Sequence, residues 1–188
     1  MDGTTTGLFT GDITNSGTIS SEGANGTVGG FRAVNGTSFQ GTLTNEAGGE
    51  ISGEQNGVYF GNATPAGGGD HTGGVVRNKG TISSGSRALN IDGEGLTVVN
   101  EGLIVGTGNQ RNGTVYSDDT ASNFSLDNSG TLAGRGDAGA GVATAGDGIR
   151  LERTRVDGAL DATTTGLFTG DITTVSYTHL TLPTILLV

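Results

Sequence analysis

One short pattern, apolar-x-Asn-x-Gly-x-apolar, recurs four times without gaps and constrains this chain more than any other feature. The copies run from Ile13 to Ile19, Val76 to Ile82, Val98 to Ile104 and Leu126 to Leu132, and a fifth, Leu43 to Ile51, keeps the same ends around a turn two residues longer. The asparagines fall at 15, 45, 78, 100 and 128, so the spacings are 30, 33, 22 and 28 residues. Constant strands joined by loops of changing length give such a series, which is the mark of a solenoid. Asn and Gly are the residues that most readily take positive φ, so each motif reads as strand, left-handed corner and strand, with the flanking apolar side chains turned inward. The corner residues are Asn15, Gly17, Asn45, Asn78, Gly80, Asn100, Gly102, Asn128 and Gly130.

Between the motifs the hydrophobic period is two: Phe31/Ala33, Val58/Phe60, Leu89/Ile91, Leu96/Val98, Phe124/Leu126 and Ile149/Leu151. Each is a short strand with one buried face, which no single coil can bury alone. Coils must therefore stack about 4.8 Å apart, with backbone hydrogen bonds from coil to coil. Equivalent asparagines then lie above one another, placed to form side-chain amide ladders. The expected fold is all-β, a parallel β-helix (β-solenoid), right-handed, of roughly six to eight coils of ~20–30 residues.

Composition removes the alternatives. Of 188 residues 38 are Gly, but not at every third position, which excludes collagen. No long window is free of Gly, Thr, Ser and Asn, which disfavours helix. The chain has no Cys, so thiolate metal sites, thiol catalysis and disulfide scaffolds are excluded. Nineteen acids against nine Lys and Arg give a formal charge of −10, which repels nucleic acid and bare anionic membranes.

A longer repeat overlies the short one. Asp2-Gly3-Thr4-Thr5-Thr6-Gly7-Leu8-Phe9-Thr10-Gly11-Asp12-Ile13-Thr14 returns as Asp161-Ala162 and then an identical run from Thr163 to Thr173, at an offset of 159 residues. The Gly3/Ala162 difference argues for a true long-period repeat of a larger protein, in which Met1, aligned with Leu160, is an internal residue or an assigned start. No signal peptide precedes it. After Thr173 the register calls for Asn-Ser-Gly-Thr-Ile, but the chain reads Thr174-Val175-Ser176-Tyr177-Thr178-His179-Leu180 and ends apolar. This tail resembles a translated transposon-type sequencing adapter, so 1–173 is read as one β-helix region and 174–188 as non-native. Its apolar end is far shorter than the ~20 residues of a membrane span.

Asn15-Ser16-Gly17-Thr18-Ile19, Asn78-Lys79-Gly80-Thr81-Ile82 and Asn128-Ser129-Gly130-Thr131-Leu132 resemble the corners of the β-helical passenger regions of large Gram-negative autotransporter and adhesin proteins. Gly108 to Tyr116 and Gly146 to Glu152 look like connecting coils of the same proteins. The resemblance implies a non-enzymatic, cofactor-free stalk or adhesive surface, displayed outside the cell on the outer membrane. Its expected partners are cell-surface glycans or proteins held by weak multivalent contact, the flanking repeats, and a C-terminal translocator barrel in the parent protein. A Cys-free chain suits that export route, since periplasmic disulfides cannot trap it.

Two rival readings remain. Asp118-Asp119 is the only adjacent acid pair, and some β-helical polysaccharide hydrolases use such acids; this reading predicts at least three carboxylates lining a groove around Asp118. Consecutive strand residues point to opposite faces, which weakens it. A calcium solenoid would use acidic Gly-rich turns, but Gly134-Arg135-Gly136-Asp137 and Gly146-Asp147-Gly148-Ile149 neither complete nor repeat the known nonapeptide. His71, among Gly67, Gly68, Gly69, Gly73 and Gly74, is expected in a flexible loop. The pairs Thr4/Thr6, Thr42/Thr44 and Thr163/Thr165 read as ordinary strand threonines rather than an ice-binding face. Arg150, Arg153 and Arg155 read as a solvated corner, and Asn25, Asn35, Asn62, Asn112 and Asn123 as chance glycosylation sequons.

Overall fold

The computed structural model describes residues 7–23, 29–34, 37–61, 69–107, 114–117, 123–134, 149–151, 155–156, 159–160 and 171–174. Among these the chain is all strand, and each coil gives one strand to each of three parallel sheets, so the fold is a β-solenoid. The first sheet stacks Ile13–Asn15, Thr42–Asn45, Val75–Asn78, Gly93–Asn100, Asn123–Asn128 and Ile172–Thr174 in that order. The second stacks Thr18–Ser21, Glu50–Gly53, Thr81–Ser84, Leu103–Gly106 and Thr131–Gly134. The third stacks Gly29–Ala33, Asn56–Phe60, Arg87–Ile91, Val115–Ser117 and Ile149–Leu151. The described residues thus complete five coils and begin a sixth, fewer than the six to eight expected. The reason is that the coils are long, 22 to 33 residues between motif asparagines, because Phe31/Ala33, Val58/Phe60, Leu89/Ile91 and Ile149/Leu151 add a third side to each coil marked by an Asn motif.

Register follows from burial. Shifting a strand by one residue would turn its apolar set outward, so each column keeps like over like. Ile13, Leu43, Val76, Val98, Leu126 and Ile172 align in the first sheet. Ile19, Ile51, Ile82, Ile104 and Leu132 align in the second, and Phe31, Val58, Leu89, Val115 and Ile149 in the third. Leu43, Ile51, Ile82, Leu89 and Ile104 are wholly buried. Each such side chain contributes roughly 1.5–3 kcal/mol of transfer free energy.

The N-terminal coils carry an aromatic cluster. Phe9 stacks on Phe39 with centroids 5.6 Å apart, and Phe39 meets Phe60 at 5.3 Å. His71 joins this cluster instead of sitting in a loose loop. It has no exposed surface, packs edge-on against Phe60 at 5.2 Å, and follows a short strand, Gly69–Asp70, paired with Gly93–Glu94. The Asp70 side chain accepts from the Thr72 amide, and Gly73 takes φ +88°, so a tight turn folds the imidazole inward. Local glycines give the sequence a flexible look; Phe60 and the Phe39 amide give the ring its place.

The corner glycines also differ from expectation. Gly17, Gly80, Gly102 and Gly130 do not adopt left-handed backbone; in the motif set only Gly48, in the longer turn, has positive φ, at +84°. Their requirement is closeness between coils. A Cβ on Gly80 would collide with the Gly49 carbonyl, one on Gly102 with that of Gly80, and one on Gly130 with that of Gly102.

Candidate functional site

The five motif asparagines form one continuous column inside the turn between the first and second sheets. Asn15 Nδ2 donates to Asn45 Oδ1 at 2.8 Å, Asn45 to Asn78 at 2.9 Å, Asn78 to Asn100 at 2.8 Å and Asn100 to Asn128 at 2.7 Å. All five are at most 8% exposed. The first four amides also tie their own corner to the next coil: Asn78 Nδ2 reaches the Gly80 carbonyl at 3.3 Å and the Leu103 carbonyl at 3.1 Å. The same arrangement holds at Asn15 with Gly17 and Glu50, and at Asn45 with Gly49 and Thr81. Donation runs one way, from each coil to the one after it. Reversing a single amide would set acceptor against acceptor at the carbonyls, so the polarity is enforced by the whole column.

The x residue of the motif faces solvent. Glu46 and Lys79, in successive corners, form a 3.6 Å ion pair with both side chains about two-fifths exposed, a geometry that contributes little to stability. It does mark how closely adjacent x positions approach.

On the outer face of the second sheet Ser20, Ser52 and Ser83 align across three coils. Beside them lies an open groove of about 360 Å³ lined by Ser21, Glu22, Ser52, Glu54, Ser83 and Thr107 among others. Glu54 accepts from the Gly23 amide at 3.2 Å, and Ser21 Oγ, itself buried, has no hydrogen-bond partner among the described residues. The serine hydroxyls repeat here at the ~4.8 Å spacing of the coils, with Glu22 and Glu54 at the groove. The identical runs Gly17-Thr18-Ile19-Ser20-Ser21 and Gly80-Thr81-Ile82-Ser83-Ser84 carry the signal of this column, which reading the motif only as far as its second apolar residue passes over.

His71 is built to be neutral. Its Nδ1 accepts from the Phe39 amide at 3.1 Å, so the proton sits on Nε2, which has no partner among the described residues. Burial pushes its pKa below the usual histidine value, against a smaller upward pull from Asp70. Asp70 itself is held below the ordinary aspartate value by its bonds to Thr72.

The remaining sequence candidates divide simply. Thr42 and Thr44 face outward, but their neighbours in the next coil are Val75 and Arg77, so no Thr-x-Thr array forms there. Asp118-Asp119, Arg135 to Gly148, Arg153, Thr4/Thr6, Thr163/Thr165, Asn25, Asn35, Asn62, Asn112 and the tail beyond Thr174 lie outside the described residues. Among the described residues no three acidic or histidine side chains gather as a metal site would need, and no helix is long and apolar enough to cross a membrane. Fold and column together define the class: a three-sided β-solenoid with a buried asparagine ladder. No family model, curated protein or solved structure matches the chain.

Proposed function

We propose that this chain is a segment of a surface-displayed solenoid that works as a stalk and adhesive face, non-enzymatic, outside a Gram-negative cell and joined through the parent protein to an outer-membrane translocator. The observation that carries the reading is the aligned Ser20, Ser52 and Ser83 beside a groove holding Glu22 and Glu54. Hydroxyls at a fixed repeat, flanked by two carboxylates, suit polyhydroxylated ligands, each contact weak, with avidity from repetition. The resemblance of the Asn-x-Gly-Thr-Ile corners to autotransporter passengers supports the same reading.

The test is binding of the 188-residue chain, free and coupled at high density to beads, to an array of bacterial and host oligosaccharides. Retention of beads but not of free chain, lost in a Ser52→Val, Ser83→Val variant with an unchanged circular dichroism spectrum, is the expected result. Beads that bind no glycan, or that bind equally after the substitutions, overturn the proposal.

A further inference from the structure

Along the corner that leads into the first sheet, the backbone ladder has a gap. Ser38–Phe39 pairs with Leu8–Phe9, and Gly69–Asp70 pairs with Gly93–Glu94, but no ladder joins Ser38–Phe39 to Gly69–Asp70 among the described residues. The Phe39 amide, placed to donate to a neighbouring coil, donates instead to His71 Nδ1 at 3.1 Å. A side chain that takes up a proton near neutral pH therefore stands where the paired strands use backbone carbonyls, which do not titrate.

The segment that carries this ring is lightly held. Asp70, Thr72 and Gly73 are exposed, and His71 alone turns inward, with no exposed surface. Its backbone ties are the two-residue pairing with Gly93–Glu94, the His71 amide to the Glu94 carbonyl at 2.8 Å, and the Gly74 amide back to the His71 carbonyl at 2.7 Å. Gly73, at φ +88°, supplies the bend that ends the segment. Phe60 lies against the ring, centroids 5.2 Å apart, and packs in turn on Phe39 at 5.3 Å; both phenylalanines are at most 1% exposed.

The neutral ring fits this place and the charged ring does not. With its proton on Nε2, the imidazole offers the Nδ1 lone pair to the Phe39 amide. A second proton goes to Nδ1, sets donor against donor and strands a cation beside Phe60. Nε2 has no partner among the described residues, so nothing there steadies the added charge. Charged groups on the elements packed against the ring are few. The Asp70 carboxylate accepts from the Thr72 amide, Glu94 is exposed, and buried Asp92 donates its amide to the Phe60 carbonyl, while Ser38–Phe39 and Asn56–Phe60 carry no charge. Of these groups Asp70 favours the charged ring, and burial outweighs it.

We propose that His71 is an acid-released latch between coils two and three. Protonation at Nδ1 breaks the bond to the Phe39 amide, the segment from Gly69 to Gly73 swings away from coil two, and the Phe39 and Phe60 rings open to solvent. The three main sheets stay paired, because their ladders run from backbone to backbone. Acid in the surroundings is thereby turned into an aromatic patch on the side of the solenoid.

The test follows hydrogen exchange of the Phe39 amide by nuclear magnetic resonance, on the 188-residue chain at pH 7.5 and 5.0. An open segment carries an ordinary histidine pKa of about 6.5, so the open population rises, and Phe39 protection falls, by up to about 30-fold over that interval. The amides of Leu43 and Ile82, in the first and second sheets, should keep their protection. Fluorescence of the apolar dye anilinonaphthalene sulfonate should rise in step with the change at Phe39. In His71→Gln, which keeps an acceptor without a titrating ring, neither change should occur. In the parent chain alone, nitrogen-15 shifts of His71 should report the Nε2–H tautomer at pH 7.5 and titrate with the same midpoint as Phe39 protection. Equal Phe39 protection at both pH values, a fall that persists in His71→Gln, a fall shared by Leu43 and Ile82, or separate midpoints for ring and amide each overturns the proposal.

Discussion

Gly102 lies so directly over Gly80 that a Cβ on Gly102 would collide with the Gly80 carbonyl oxygen, and Gly130 stands in the same relation to Gly102. The backbone hydrogen bond from the Leu103 amide to that carbonyl, at 2.9 Å, fixes the approach. Gly102→Ala must spread two coils or bend the corner, at a cost of about 1–3 kcal/mol. Gly17→Ala should stay within about 0.5 kcal/mol of the parent chain. Urea titration followed by circular dichroism distinguishes the two, and equal losses would refute the role assigned to coil contact.

The ladder predicts position-dependent losses. Asn78→Ala leaves Asn100 Oδ1 without its ladder donor in a buried site, and it takes one acceptor from Asn45 Nδ2, which keeps those of Gly49 and Thr81. With about 1–3 kcal/mol for the orphaned oxygen and about 0.5–1.5 kcal/mol for the lost bond of Asn45, the total is roughly 1.5–4.5 kcal/mol. Asn15→Ala breaks a single link and should cost about half as much. Equal urea midpoints for the two variants would show that the amides act independently of their place in the column.

Ile82 tests the core in the same way. It is fully buried between Ile51 and Ile104, in a column with no room to collapse sideways. Ile82→Ala should cost about 2–5 kcal/mol, and Ile82→Val about 0.5–1.5 kcal/mol. Thermal melts of the two variants, ranked against the parent, provide the check.

His71 sets a pH window. Its folded pKa lies below the ordinary histidine value, so the unfolded chain takes up the proton first as pH falls. Stability is therefore highest above about pH 6.5 and declines as pH drops through that value toward the lower folded one. Asp70 has a link of the same sign at lower pH: its lowered pKa contributes stability that is full above the ordinary aspartate value and fades as pH falls from there toward the folded one. His71→Gln keeps an acceptor for the Phe39 amide without a titrating ring. Urea midpoints at pH 7.5 and 5.5 should differ in the parent chain and converge in this variant; a gap that persists would place the acid sensitivity elsewhere.

Thr174 offers a gain. Restoring the residue that the first copy carries, Thr174→Asn, gives Asn128 Nδ2 an amide acceptor in register. The expected increase is about 0.5–1.5 kcal/mol. An unchanged melt would mean that the rung does not hold its place long enough to bond.

Much of this was legible beforehand. Alternation at Val58/Phe60 or Leu89/Ile91 depends on the strand period of two, a property of the local backbone, so the inward residues could be named from the sequence. The equal framing of Asn78 and Asn100 by apolar residues likewise places them at one height in successive coils. The purpose of the corner glycines is not legible in the sequence, because φ is the local reason for a glycine and the operative reason is a carbonyl from another coil, 22 to 31 residues earlier. The place of His71 is hidden for a similar cause: its glycine neighbours are local, while Phe39 and Phe60, which pack against it, are not.

The sequence by itself determined the class of fold, the inward face of each strand and the column of asparagines, since all three follow from short-range periodicity and from a motif repeated at matching positions. The tertiary structure alone decided that three strands rather than one or two make a coil, that glycine at the corner serves closeness, that a histidine is sealed among phenylalanines, and that serines from three coils share a groove. Those features depend on how far one coil lies from the next and on where each loop returns the chain, and such distances are set only when the coils are stacked.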